Sequence, residues 1–174
     1  MGEYLVTQGN RRLASDEWLT PPWLLGLLGK FDLDPCAATN RPWDTATKNY
    51  TVENDGLKQP WNGRVWLNPP FGKGLADWIN RLAQHGNGIG IMPLRSTDTN
   101  WFHESIWSQA GAVLFLRGRV RFYTVEGKES GPCPHASLMI AYGDNNVQIL
   151  RSAVKETSRP LINRAKYLSL SEGD

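Results

Sequence analysis

Three short runs without an alternating polar face constrain this chain most: Val65-Trp66-Leu67, Ile89-Gly90-Ile91-Met92 and Ala112-Val113-Leu114-Phe115-Leu116. Consecutive apolar residues over this length suit strands covered on both faces. The intervening segments have a different period. Leu75, Trp78, Ile79 and Leu82 recur at helical spacing, which predicts an amphipathic helix over 75–85, and residues 99–109 predict a second. The strands are expected over 64–67, 88–93 and 112–116. Val120–Val125 and Ala136–Tyr142 predict a final strand pair joined by a polar Gly/Pro loop. Strand, helix, strand, helix, strand is the plan of an α/β domain with a mostly parallel sheet. Ligands bind such sheets beyond the carboxyl ends of the strands.

Upstream, the apolar run Trp18 to Leu28 predicts a helix capped by Asp16 or Thr20, with Pro21 or Pro22 in its first turn and Gly29 as its stop. Phe31 to Asp34 predicts a strand that ends in a carboxylate. Residues 35–60, rich in Pro, Asn, Thr and Asp, predict an irregular link with a short strand near Asn49 to Val52. Residues 1–14 and 169–174 carry no periodicity and are expected to be flexible ends of one compact domain over 15–168.

Composition narrows the partners. Lys+Arg 19 against Asp+Glu 17 gives a formal net charge of +2, so affinity for phosphate must come from a local basic patch rather than bulk charge. Cys36 and Cys133 form no CxxC pair, which argues against a zinc site or a disulfide framework and fits reduced thiols in the cytoplasm. No signal pattern opens the chain and no apolar stretch is long enough to span a bilayer, so a soluble intracellular protein with no membrane partner is expected. No metal is expected either, and His135, in a Pro-rich loop, reads as structural. The eight tryptophans suit core packing, and some could line a pocket for a planar ligand. Nothing in the sequence specifies an oligomer.

Asn68-Pro69-Pro70-Phe71 is the segment that suggests chemistry. The exocyclic amine of an adenine is a poor nucleophile because its lone pair is delocalised into the ring. Two acceptors on its two N–H bonds would draw the nitrogen toward a tetrahedral shape and favour attack on a methyl group. The Asn68 side-chain oxygen can be one acceptor and the Pro69 carbonyl the other. Pro69 and Pro70 stiffen that backbone. Phe71 offers a flat face for an extruded base. Asp34 and Asn68 both fall at predicted strand carboxyl ends, so they can face one crevice.

The chain resembles the phage-type, Dam-like DNA N6-adenine methyltransferase family over roughly residues 15–143. The matching stretches are Asp16-Glu17-Trp18-Leu19-Thr20-Pro21-Pro22, Phe31 to Ala38, Asp55-Gly56-Leu57 with Trp61, Val65 to Gly72, Pro93-Leu94-Arg95-Ser96 with Trp101-Phe102, and Phe115 to Phe122. The resemblance implies a Rossmann-like sheet of seven strands and S-adenosylmethionine as cofactor. Asp34, Pro35, Cys36 and Ala37 would then form the cofactor loop after the first strand. Its backbone would wrap the methionine end, with Asp34 near the ammonium. Thr20 and Pro21 would close over that end, and Asp55 would contact the cofactor's adenine or ribose. The substrate implied is DNA, methylated on a flipped adenine, in a bacterial cytoplasm from a phage or prophage gene.

Phosphate contacts are expected from cations near the crevice. Arg117, Arg119 and Arg121 alternate on a predicted strand and would share one face. Arg95 and Thr97 follow the strand that ends at Pro93. With no room for a separate recognition domain, loops 95–105 and 123–135 would select the site. Two other readings stand beside this one. A planar amine in RNA or in a protein glutamine suits the same Asn-Pro-Pro-aromatic device. The glycine-free loop Cys36-Ala37-Ala38-Thr39-Asn40 suits a non-enzymatic DNA-binding relic of the fold.

Overall fold

The computed structural model describes residues 17–163 and 165–170. Helix α1 (Pro22–Leu28) leads to strand β1 (Leu33–Asp34) and the short β2 (Lys48–Asn49). Strand β3 (Val65–Leu67), helix α2 (Leu75–His85) and strand β4 (Gly88–Pro93) follow. A single α-turn, α3 (Asn100–Phe102), runs into a π-helical turn over His103–Trp107. Strands β5 (Ala112–Phe115) and β6 (Ser137–Tyr142), helices α4 (Asp144–Glu156) and α5 (Pro160–Asn163), and strand β7 (Lys166–Ser169) complete the order.

The seven strands form one mixed sheet in the order β2-β1-β3-β4-β6-β5-β7. From β2 to β4 neighbours are parallel, whereas β6 runs antiparallel to both β4 and β5, and β7 antiparallel to β5. The continuous apolar runs have the expected cause. On one face Trp66, Ile89, Ile91, Leu114 and Met139 meet Leu24 and Leu28 of α1 and Leu150 and Ala153 of α4. On the other, Val65, Leu67, Met92, Val113 and Ile140 meet Leu75, Ile79 and Leu82 of α2 and Phe102 and Ile106 of the α3–π segment. Alternate residues of each strand thus enter opposite cores, so both must be apolar. Gly88 is hemmed in by β3 and α2 together: a Cβ there would sit 2.5 Å from the Val65 carbonyl and 3.0 Å from Leu82.

The α2 and β4 spans match the expected 75–85 and 88–93. Elsewhere the structure departs from expectation for identifiable reasons. Helix α1 has Pro22 in its first turn and stops at Gly29 as expected, but the first residues of the expected helix, Trp18 to Pro21, are not helical, and Asp16 lies outside the described residues. Thr20 and Pro21 each precede a proline, which disfavours helical backbone there. Leu19 instead exchanges both backbone hydrogen bonds with Tyr123, at 2.8 and 2.9 Å, and no side chain caps the helix. The second predicted helix breaks into α3 and the π turn, where the Ser105 carbonyl accepts from the buried Tyr142 hydroxyl at 2.6 Å. There the Ser108 amide bonds five residues back to the His103 carbonyl at 3.0 Å, and the Gln109 amide, whose α-helical acceptor would be the engaged Ser105 carbonyl, turns to Ile106 at 3.4 Å. Val120–Val125 is no strand of the sheet. Both edges of β6 are occupied by β4 and β5, so the segment runs extended beyond the sheet, touching it nowhere as a ladder and pairing singly with Leu19 and Glu129. Residues 144–169, for which no elements were expected, supply α4, α5 and β7. Ser169 ends β7, and residues 1–14 and 171–174 lie outside the described residues.

Candidate active site

Strand β1 lies between β2 and β3, and the chain leaves it first for β2 and then for β3. The loops after β1 and β3 therefore open away from each other at a topological switch point, where a crevice forms. Asp34 ends β1 and Asn68 follows β3, so both stand at the carboxyl ends of neighbouring strands; Asn68 lines the cavity there, whereas Asp34 and the loop residues Pro35, Cys36 and Ala37 do not. The two loops also touch. The Asn68 backbone amide is within hydrogen-bonding reach of the Cys36 sulfur, though burial and the neighbouring Asp34 push the Cys36 thiol well above its ordinary range.

Asn68 is held by one contact. Its Nδ2 donates to the Trp18 carbonyl at 2.8 Å. A carbonyl only accepts, so this contact fixes which end of the amide is which and leaves Oδ1 as a ready acceptor. Neither Asn68 Oδ1 nor the Pro69 carbonyl accepts a hydrogen bond from any described residue. Phe71 packs edge-on against Phe122, with ring centroids 5.9 Å apart and planes at 80°. The Phe71 carbonyl accepts from Arg95 Nη2. Asn68, Pro69, Pro70 and Phe71 line a cavity of about 690 Å³ together with Trp18, Lys73, Phe122 and the loop Ser130-Gly131-Pro132-Cys133-Pro134-His135.

Asp34 is 3% exposed. Its carboxylate accepts from the Cys36 amide at 3.0 Å and from the Thr45 hydroxyl, and forms no ion pair among the described residues. Burial pushes its pKa up to about 6, against the lowering effect of Thr45, the Cys36 amide and the Arg41 charge. Arg41 itself is committed to Asp44, at 2.8 Å, and to the Ala38 carbonyl, at 2.9 Å. A buried carboxylate lacking a cation is a chemical fit for an ammonium group. The backbone around it is less open. The Cys36, Ala37 and Thr39 amides donate to Asp34, the Tyr50 carbonyl and Glu17.

The remaining expected site residues scatter. Thr20 is buried and accepts from the Trp66 indole at 3.0 Å, while the Pro21 carbonyl starts α1 by accepting from Leu24 and Leu25. Neither lines the cavity. Pro35 is buried against Gly56, where a Cβ would lie 1.8 Å from the Pro35 carbonyl, and the Trp61 indole donates to the Gly56 carbonyl at 2.8 Å. Asp55, next to this contact, is exposed in a left-handed turn (φ 51°) and pairs with Lys58 at 2.7 Å. Thr97 is exposed beyond β4. Arg117, Arg119 and Arg121 are exposed but do not share a strand face, because their segment joins no ladder. Sequence reasoning missed Trp18 and Lys73 as lining residues and took His135 as structural only. The Trp18 carbonyl left no side-chain signal, whereas the stiff Pro132-Cys133-Pro134 run could have been read as a wall.

The sheet and crevice define a mixed α/β domain whose loop after β3 presents two free acceptors and an aromatic face. The profile of the DNA N-6-adenine-methyltransferase (Dam) family matches residues 9–157, and the chain belongs to that family. It is 33% identical over 119 residues to a DNA N-6-adenine-methyltransferase of Escherichia phage T1, an alignment covering 59% of this chain and 49% of that protein. The chain thus spans about half the length of this curated relative. No solved structure matches it. Among the described residues there is no cluster of three or more potential metal ligands, and no helix is long and apolar enough to cross a membrane.

Proposed function

We propose that this chain transfers a methyl group from S-adenosylmethionine to the exocyclic N6 amine of an adenine extruded from DNA, in a phage or prophage setting. The observation that carries the reading is the Trp18 carbonyl's hold on Asn68 Nδ2, which leaves Asn68 Oδ1 and the Pro69 carbonyl as two free acceptors at the mouth of one cavity. Family membership and the named activity of the phage T1 relative support it. The five parallel strands, with antiparallel β6 inserted between β4 and β5, suit a Rossmann-like methyltransferase sheet.

When bound, S-adenosylmethionine supplies an electrophilic methyl on a sulfonium. The chain's own residues do the rest. Asn68 Oδ1 and the Pro69 carbonyl each accept one N–H of the amine and steer its lone pair toward the methyl carbon. N–C bond formation would be matched by cleavage of the S–methyl bond, its electron pair staying on sulfur as a neutral thioether; the amine nitrogen becomes positive, and the same two acceptors stabilise that charge until a proton leaves to water. Phe71, braced on Phe122, stacks against the base. Asp34 would face the cofactor's ammonium, with Pro35, Cys36 and Ala37 beside it, Thr20 and Pro21 behind, and Asp55 toward the ribose. Arg95, Thr97, Arg117, Arg119 and Arg121 would meet phosphate.

The committed amides of Cys36, Ala37 and Thr39 favour a second reading, a DNA-binding relative that holds no cofactor. Calorimetry with S-adenosylmethionine separates the two: saturable 1:1 binding supports the enzyme, and absence of binding supports the relic. Label from radioactive S-adenosylmethionine should then enter plasmid DNA. Label entering only RNA or protein would move the substrate to those amines.

A further inference from the structure

Two loops, Asn68–Lys73 and Ser130–His135, supply most of the cavity lining, and an arginine side chain bonds to the backbone of each. On one, Arg95 donates to the Phe71 carbonyl. The other, Ser130–Pro134, hangs from the extended segment that was expected to be a strand. The Ser130 amide donates to the Phe122 carbonyl and the Cys133 amide to the Val120 carbonyl, both at 2.8 Å. From the same segment Arg119 Nη1 donates to the Pro134 carbonyl at 3.0 Å and Arg121 Nη1 to the Ser130 carbonyl at 3.4 Å. The two arginines therefore hold opposite ends of one cavity wall. A guanidinium has five N–H donors in a fixed plane. Arg119 has one donor on a wall carbonyl and its others left for a phosphate; Arg121 also stands 3.9 Å from the Glu129 carboxylate through Nε, which leaves its Nη2 end for one, and both side chains are exposed.

Resting on the proposed function, we infer that Arg119 and Arg121 are positioning residues that set the Ser130–Pro134 wall against the target adenine, and that they do so with guanidinium groups that also meet the DNA backbone. The register in which a phosphate is gripped is thereby linked to the width of the base pocket. A lysine would keep the charge. As a compact ammonium on a flexible stem it would not hold carbonyl and phosphate in one plane.

Three proteins test this: wild type, Arg119→Lys/Arg121→Lys and Arg119→Ala/Arg121→Ala. Methyl transfer to unmethylated plasmid DNA gives kcat and KM across a potassium chloride series, and amide hydrogen exchange is followed over residues 130–135. The double lysine variant should keep KM within about twofold, because phosphate attraction survives. Its kcat should fall about tenfold, and exchange over 130–135 should quicken, because the charge-assisted wall contacts are gone. The double alanine variant should lose kcat similarly, and its log KM should depend on log salt with a slope shallower by about 2. A double lysine variant with unchanged kcat and unchanged exchange overturns the inference. So does one that raises KM alone, since the arginines would then be phosphate contacts only. A wild type that transfers no methyl to DNA overturns the functional reading and this inference with it, whereas an active wild type with unaffected variants overturns the inference alone.

Discussion

Replacing Asp34 by Asn turns a buried, ionisable carboxyl into a neutral amide of nearly the same shape. The local hydrogen bonds can survive the change. Asn Oδ1 can accept from the Cys36 amide, and Nδ2 can donate to Thr45 Oγ1, whose own proton already has the Asn49 Oδ1 acceptor at 3.0 Å. What disappears is the cost of ionising a group whose pKa is raised from 3.8 to about 6 by burial. Between those values the folded state binds more protons than the unfolded chain, so wild-type stability rises as pH falls through 6 toward 3.8. Above 6 the full penalty is present. At 1.36 kcal/mol per pKa unit, the shift makes the variant more stable than wild type by about 3 kcal/mol at pH 7.5 and by about half that at pH 5. Urea unfolding of both proteins at the two pH values measures this, and taking their difference cancels the carboxylates they share. Equal stabilities at pH 7.5, or a gap that does not shrink at pH 5, would refute the assignment of an unpaired buried charge. The same variant separates stability from function: ligand affinity should drop even as the protein becomes more stable. In wild type, calorimetric affinity for S-adenosylmethionine should increase as pH rises through about 6, where Asp34 becomes the anionic partner of the ammonium.

Asn68→Ala removes one of two acceptors on the amine and should lower the methyl-transfer rate about 10²–10³-fold while S-adenosylmethionine affinity by calorimetry stays within about twofold. Phe71→Ala should weaken capture of the base by about 1–3 kcal/mol in DNA-binding titrations, whereas Phe71→Tyr keeps the ring and should retain activity. Gly56→Ala would drive a Cβ to 1.8 Å from the Pro35 carbonyl, so the loop after β1 must shift, and thermal melting should show a loss of about 2 kcal/mol or more. Tyr142→Phe leaves the Ser105 carbonyl without its donor and should cost about 1 kcal/mol in urea unfolding.

The parts of the fold that sequence made legible were those in which one pattern dictated one outcome. Doubly covered strands must be apolar on consecutive residues, and 64–67, 88–93 and 112–116 said so. Helix α2 carries Leu75, Ile79 and Leu82 on a single stripe. Helix α4 gave a weaker signal, with Val147, Leu150 and Ala153 set among Asn, Gln, Arg and Ser, and β7 is a mostly exposed edge strand with no alternation to read. The segment 120–125 misled because burial alternates at its start: exposed Arg119 and Arg121 alternate with buried Val120 and Phe122. Alternation reports one covered face, and the absence of a free sheet edge depends on how distant strands pair. In the site, the Asn-Pro-Pro-Phe segment announced its chemistry through side chains. The roles of the Trp18 carbonyl and of the Ser130–Pro134 wall belong to backbone brought in from far along the chain, which a local pattern does not encode.

Nucleoside analysis of plasmid DNA after incubation with the protein and labelled S-adenosylmethionine bears most directly on the two free acceptors beside Phe71. Label confined to N6-methyldeoxyadenosine is the expected result, and its loss in Asn68→Ala would tie the product to this loop. Label on cytosine, or none in DNA despite bound cofactor, would contradict the assignment of Asn68 and Pro69 to the adenine amine.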